Sequence, residues 1–151
     1  MSSDYVIAAI SPTNQGFKIA FTDPEDFLLD WMEFGEEEIY RMIRYLGEQK
    51  EYCNELRIVG CPNDRWPLGL PKIFEAFGHN LSWVDPELVR QVMQHMAEWN
   101  RRRKYHRART LGHLYRLDIK NYAIEPKDIA IEWERKVAQE IISECEWHNR
   151  R

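Results

Sequence analysis

Cysteine is scarce in this chain, and its three residues, Cys53, Cys61 and Cys145, stand far apart with no Cys-x-x-Cys pair. Such spacing excludes a zinc ribbon or a disulfide framework and predicts buried or free thiols. Long apolar runs are missing too: the longest, Val6 to Ile10, is far too short to cross a bilayer. The first residues, Met1-Ser2-Ser3-Asp4, lack the basic-then-apolar layout of a secretory signal, so a cytoplasmic protein is expected. Gly60, Gly69 and Gly78 are too widely spaced for a phosphate-cradling loop. His79, His95, His106, His113 and His148 show no zinc-ligand spacing, and nothing places a histidine beside Cys61 to activate it as a nucleophile. Neither a metal nor a cofactor is expected, and no repeat or low-complexity segment is visible.

What remains is an ordinary globular composition. A chain of 151 residues that is 44% apolar suits one domain, and a domain of this size buries roughly 70% of its unfolded surface. Charge is distributed unevenly. Residues 1–86 hold 7 Lys/Arg against 15 Asp/Glu, a balance of −8, while residues 87–151 hold 14 against 10, a balance of +4. Such polarity speaks of partners and self-association rather than of fold.

Along the chain, Tyr5 to Ile10 reads as a doubly buried strand, Ser11-Pro12-Thr13-Asn14 as a turn and Gly16 to Thr22 as its hairpin partner. Asp23-Pro24-Glu25-Asp26 is a second turn, after which Phe27 to Phe34 returns as a third strand. Gly35 followed by Glu36-Glu37-Glu38 starts a helix, because carboxylates in a first turn face the positive end of the helix dipole. Ile39, Met42, Ile43 and Leu46 are its apolar face. A fourth strand, Leu56 to Gly60, leads to a helix opened at Pro67 to Gly69, carrying Leu70, Ile73, Phe74 and Phe77 and closed by Gly78. Leu81 to Val84 is a fifth strand. Asp85-Pro86 caps a helix with the stripe Leu88, Val89, Val92, Met93, Met96 and Trp99. Helical character resumes from about Lys104 to Tyr115, and a long last helix from about Pro126 to Trp147 presents Ile129, Trp133, Val137, Ile141 and Cys145 on one side. That side needs cover, either from the sheet or from a second copy of the chain.

Three antiparallel strands, then helix, strand, helix, strand and further helices, is the succession of the RNase H-like fold: a mixed five-stranded sheet with flanking helices. Residues 1–120 are expected to form that domain and 121–151 the C-terminal helix. The run Trp66-Pro67-Leu68, a helix, Gly78-His79, a strand, Asp85-Pro86-Glu87-Leu88-Val89-Arg90, a basic segment and Leu111-Gly112-His113-Leu114-Tyr115 resembles the N-terminal, Holliday-junction-resolvase-like domain of the DEDD transposases over residues 5–116. The resemblance implies four carboxylates holding two magnesium ions about 4 Å apart across a phosphodiester. Here the matching positions fall on Ala9 before Ile10-Ser11, within Val59 to Cys61, and on His106 and Arg109 after Lys104. None is a carboxylate, so the resemblance implies a domain emptied of its metal ligands. Asp64 and Asp118 are the acids near enough to be weighed as substitutes, and as loop acids they are expected to be solvated.

Arg101-Arg102-Arg103-Lys104-Tyr105-His106-Arg107-Ala108-Arg109 gathers six of the 21 Lys/Arg into nine positions, with Arg116 beyond. A phosphate backbone is its natural counterpart. Trp99, Tyr105 and Tyr115 interleave with these cations, and Tyr105 is the one expected to stack on an unpaired base, since Trp99 continues an apolar stripe. The expected function is a non-catalytic module binding nucleic acid through Arg101, Arg102, Arg103, Lys104, Tyr105, Arg107, Arg109 and Arg116. Two other readings stand beside it: an assembly subunit joined to a protein partner or a second copy through the acidic half, the basic half and the last helix, and a nuclease using relocated acids such as Asp64.

Overall fold

The computed structural model describes residues 5–96, 106–119 and 125–149, except for the side chains of 118, 119, 141 and 143–149. At its centre is β1 (Val6–Thr13), paired antiparallel with β2 (Gly16–Thr22) from Ile7↔Thr22 to Thr13↔Gly16. On its other side it runs parallel with β4 (Leu56–Gly60) from Val6↔Leu56 to Ala9↔Val59. The outer strands are β3 (Leu28–Gly35), antiparallel to β2, and β5 (Leu81–Trp83), parallel to β4, so the sheet order is β3-β2-β1-β4-β5. An antiparallel meander extended by two parallel crossover strands, with helices on both faces, is the RNase H-like fold.

Alternation along the strands divides the core in two. Ala8, Ile10, Phe17, Ile19, Phe21 and Ile58 face α1 (Ile39–Gln49) and α2 (Leu70–Ala76), meeting Met42, Ile43, Leu46 and Phe74. Ile7, Ala9, Val59 and Cys61 face the opposite way, toward α3 (Pro86–His95), α4 (His106–Ile119) and α5 (Pro126–Asn149), which contribute Val89, Val92, Leu111, Leu114, Ile129, Trp133 and Val137. Helix α5 thus inserts its first turns into the domain's own core, which occupies Ile129, Trp133 and Val137. The side chains of Ile141 and Cys145 lie outside the described residues.

Local chemistry explains most boundaries. Asp85 Oδ1 accepts the Glu87 N–H at 3.0 Å and Pro86 opens α3. Glu36 to Glu38 form a single tight turn ahead of α1, where Glu38 Oε1 accepts the Gly35 N–H at 2.8 Å. Gly78, with φ at 80°, ends the turn after α2. The expected turn at Ser11-Pro12-Thr13-Asn14 is corrected: β1 continues through Thr13, and only Asn14 and Gln15 lie between the strands. Pro12 is tolerated because β4 has ended by then, its last pair being Ala9↔Val59. Gly16 closes the hairpin at φ 145°, and a Cβ there would stand 2.0 Å from the Phe34 carbonyl oxygen, so no larger residue fits. Among the described residues no helix is long and apolar enough to cross a membrane.

Candidate nucleic-acid interface

Helix α4 crosses the middle of the sheet at close range. A Cβ built on Gly112 would lie 3.6 Å from the Ala9 Cβ, 3.7 Å from Ile7 Cγ2 and 3.5 Å from Thr22 Oγ1. Its first turn reaches the carboxyl end of β4 through Arg107, and its last turns reach the strand's start, where Tyr115 meets Arg57. The places where two-metal nucleases of this fold hold their ions are therefore sandwiched between β1, β4 and α4. Ala9, Val59, Cys61 and His106 are all buried there. Among the described residues no group of three His, Cys, Asp or Glu stands close enough to hold a metal ion. A methyl group, an isopropyl group and a buried thiol do not offer the oxygen ligands magnesium takes, so the residues present do not fit the metal pair.

Just past β4 the surface is polar. Asp64 is not the solvated loop acid expected from its position: Arg107 clasps it with Nη2 at 2.6 Å from Oδ1 and Nε at 3.3 Å from Oδ2. Its neighbour Arg65 donates Nη1 to Asn14 Oδ1 at 2.8 Å. Trp66 donates Nε1 to the Cys61 carbonyl at 2.8 Å. The indole packs against Gly60, where a Cβ would come within 2.4 Å of Cζ2, and meets Trp83 edge-on at 5.5 Å. Asn14, Arg65 and Trp66, with Thr13 and Glu36, line an open depression of about 440 Å³. Asp118, the other acid weighed, belongs to α4 rather than to a loop.

The expected binding residues separate into three groups. Arg101, Arg102, Arg103, Lys104 and Tyr105 lie outside the described residues, as does Trp99. Arg107 stands at the carboxyl end with 36% of its side chain exposed. Arg109 and Arg116 turn inward, and Arg109 in particular is corrected: its side chain is 7% exposed and committed to partners within the fold. Arg109 Nη1 donates to Asp26 Oδ1 at 3.0 Å and Nη2 to the Asp26 carbonyl at 3.0 Å, with a further ion pair to Glu140. Arg116 Nη2 lies 3.9 Å from Asp26 Oδ2. The signal for this was present in the spacing. Arg109, His113 and Arg116 recur at i, i+4 and i+7, one face of a helix, whereas Arg107 points away from it.

Asp26 is the residue sequence reasoning missed. It sits at the end of the β2–β3 turn with φ at 69°, its N–H bonded to the Asp23 carbonyl at 2.9 Å, while Asp23 Oδ1 holds the N–H groups of Glu25 and Phe27 at 2.9 Å. Its own Oδ2 meets His113 Nδ1 at 2.7 Å and Lys136 Nζ at 3.1 Å. Burial pushes the Asp26 carboxyl up, but the His113 hydrogen bond and the charges of His113, Arg109 and Lys136 outweigh it and hold the carboxyl at about 2. An ionised carboxylate only accepts, so the Nδ1 of His113 carries the proton. Burial lowers the His113 pKa, outweighing the opposing pull of the Asp26 hydrogen bond and charge, and the Arg116 and Lys136 charges add to the lowering in smaller measure. The imidazole stacks on Trp133 at 4.2 Å and 12°, and Trp133 Nε1 donates to Thr110 Oγ1 at 3.1 Å. One acid from the meander therefore ties α4 to α5.

No family model matches the chain, and no curated protein matches it. Among solved structures it is similar to the catalytic core domain of BIV integrase, at 12% identity and a TM-score of 0.36, covering 91% of this chain and 99% of that one. A likeness at that score carries no weight of its own; the fold rests on the strand order and directions and on the helices that cover the sheet.

Proposed function

We propose that this RNase H-like domain binds nucleic acid without cleaving it, through the basic run Arg101 to Lys104 with Tyr105, which precedes α4 in the chain. The observation that carries the reading is where that run leads. Six Lys/Arg in nine positions end on the first turn of α4, and Arg107 in that turn is seated on Asp64, the chain neighbour of Arg65. Phosphate contacts dominate such an interface and base reading is secondary. Arg109 and Arg116 are left out of the contact surface because their charges are spent inside. That no group of acids able to hold a metal stands together among the described residues supports a binding role over a nuclease role, and the Arg107 clasp on Asp64 gives that acid a structural partner in place of a metal. The kinship with the N-terminal domain of the DEDD transposases belongs to this proposal; its support is the order of elements and the residues from Trp66 to Tyr115.

The test is fluorescence anisotropy on the whole chain with single-stranded, forked and duplex probes over a salt series. Replacing Arg101, Arg102 and Arg103 together by Ala is expected to weaken binding at least about tenfold and to flatten the salt slope by about 2 for a single strand. Unchanged affinity and slope overturn the proposal, and magnesium-dependent cleavage of a forked probe overturns its non-catalytic half.

A further inference from the structure

The amino end of the parallel strands carries a second polar hollow, at the opposite end of β4 from Arg107 and Asp64. It is open to solvent, holds about 560 Å³, and lies between the start of β4, the approach to β5 and the later turns of α4. Arg57 is its fixed point. The guanidinium carbon stands 3.9 Å over the Tyr5 ring, with the Tyr115 hydroxyl beside it and only 28% of the side chain exposed. Stacking of that kind holds a planar fork in one orientation before any ligand arrives. Ser82 pairs with Val59, two residues beyond Arg57, so strand alternation turns Ser82 and Arg57 to the same face of the sheet. Lys50 reaches the hollow from the turn after α1, where its Nζ donates to the Gly78 carbonyl at 2.5 Å.

Contacts within the fold leave most of these donors in hand. An ammonium carries three N–H groups and a guanidinium five. Lys50 gives one to Gly78, and Arg57 gives Nη2 to Glu55 Oε2 at 3.2 Å. Asn54, Asn80 and Ser82 complete the polar lining, and among the described residues no hydrogen bond engages their side chains. Glu55 is the one acid lining the hollow among the described residues, and with 55% of its side chain exposed it is free to turn out to water. A ligand carboxylate would only exchange one such pair for another. A phosphate monoester brings a second charge and three oxygens, enough to displace Glu55 from Arg57 and to reach Lys50 as well. The hollow is larger than a phosphate group, and two amides and a hydroxyl beside the cations suit a body rich in hydroxyl groups. Tyr115 is the one ring in the lining among the described residues, so no pair of rings is there to sandwich a nucleobase.

We propose that this hollow binds the phosphate monoester of a small polyhydroxylated molecule, a sugar phosphate, with Lys50 and Arg57 on the phosphate and Asn54, Asn80 and Ser82 on the hydroxyls. The proposal is independent of the nucleic-acid reading, which uses the other end of the sheet. Its test titrates glycerol phosphate, ribose phosphate and glucose phosphate into the whole ¹⁵N-labelled chain, with inorganic phosphate, glucose and acetate for comparison. At least one of the three esters is expected to bind saturably, about fivefold or more tighter than inorganic phosphate, and to weaken with salt. Its shifts are expected to centre on residues 50–57, 78–82 and 115, while glucose and acetate do not saturate. Lys50→Met is expected to lower the affinity about tenfold with the melting curve in place. Glu55→Gln is expected to raise it about threefold, a gain that damage to the fold does not produce. The proposal is overturned if no ester binds more tightly than inorganic phosphate, if the shifts centre elsewhere, or if Glu55→Gln brings no gain. A 5′-phosphorylated oligonucleotide that shifts these amides more tightly than every ester also overturns it, because the hollow would then extend the nucleic-acid surface.

Discussion

Arg107 and Arg109 stand two residues apart on the same helix and meet opposite fates. The first holds Asp64 in a pair that solvent reaches, its side chain 36% exposed; the second is 7% exposed and shares the buried Asp26 with His113 and Lys136. A basic run is therefore not one surface. Helical periodicity sorts its members into a side that can exchange partners and a side that braces the fold, and only the first can serve a ligand.

The contrast breaks most severely at the buried end. Replacing Asp26 by Ala leaves Arg109 and Lys136 without their shared anion in a covered site, and a loss of about 3–5 kcal/mol is expected in urea unfolding, the range for halving a buried pair. Substituting Arg109 by Met is expected to cost less than Asp26→Ala, because Asp26 keeps His113 and Lys136. Acid should erode the same cluster in two stages. The His113 pKa is lowered by folding, so its contribution is complete above the ordinary 6.5 and declines as pH falls below that value. The Asp26 carboxyl lies at about 2 against an ordinary 3.8, so its roughly 2 kcal/mol holds above pH 4 and disappears as pH falls toward 2. Urea midpoints measured across that range should fall more steeply in the parent than in Asp26→Asn, and parallel curves would sever the assignment.

At the exposed end the effects shift from stability to binding. Arg107→Ala is expected to cost about 1–3 kcal/mol, less than Asp26→Ala, because it takes this partner from Asp64, whose side chain is only 10% exposed, and also to weaken nucleic-acid affinity. Smallest of all, Asp64→Asn should tighten that affinity by a few fold, roughly the worth of one more available phosphate contact. If Arg107→Ala unfolds the chain as Asp26→Ala does, the distinction between the two ends is lost.

Much of this was legible in the residues because it is local. An unbroken apolar run marked β1 and the turn residues after it announced β2, the Asp85-Pro86 cap and Gly78 set helix ends, and the stripes of α1, α3 and α5 named their buried sides, Met42, Val92 and Trp133 among them. Pro12 misled because the rule against proline in a strand lapses where the neighbouring strand has ended. Arg109 misled because its partner, Asp26, is 83 positions away, and no local pattern records which acid a buried cation will meet. Asp26 itself reads as an ordinary turn residue; only its left-handed backbone and its burial, both products of tertiary packing, mark it out.

The Asp26 hub also imposes an order on how the molecule comes to be finished. The meander leaves the ribosome early, holding an acid whose counterions, Arg109 and then Lys136, are synthesised far later. Until α5 emerges and Trp133 stacks on His113, the outer sides of α3 and α4 lack their cover and the Asp26 carboxylate lacks Lys136. A chain cut short before Lys136 would retain every strand and still lack the closing bolt, so the last helix acts as the step that commits the domain to its shape.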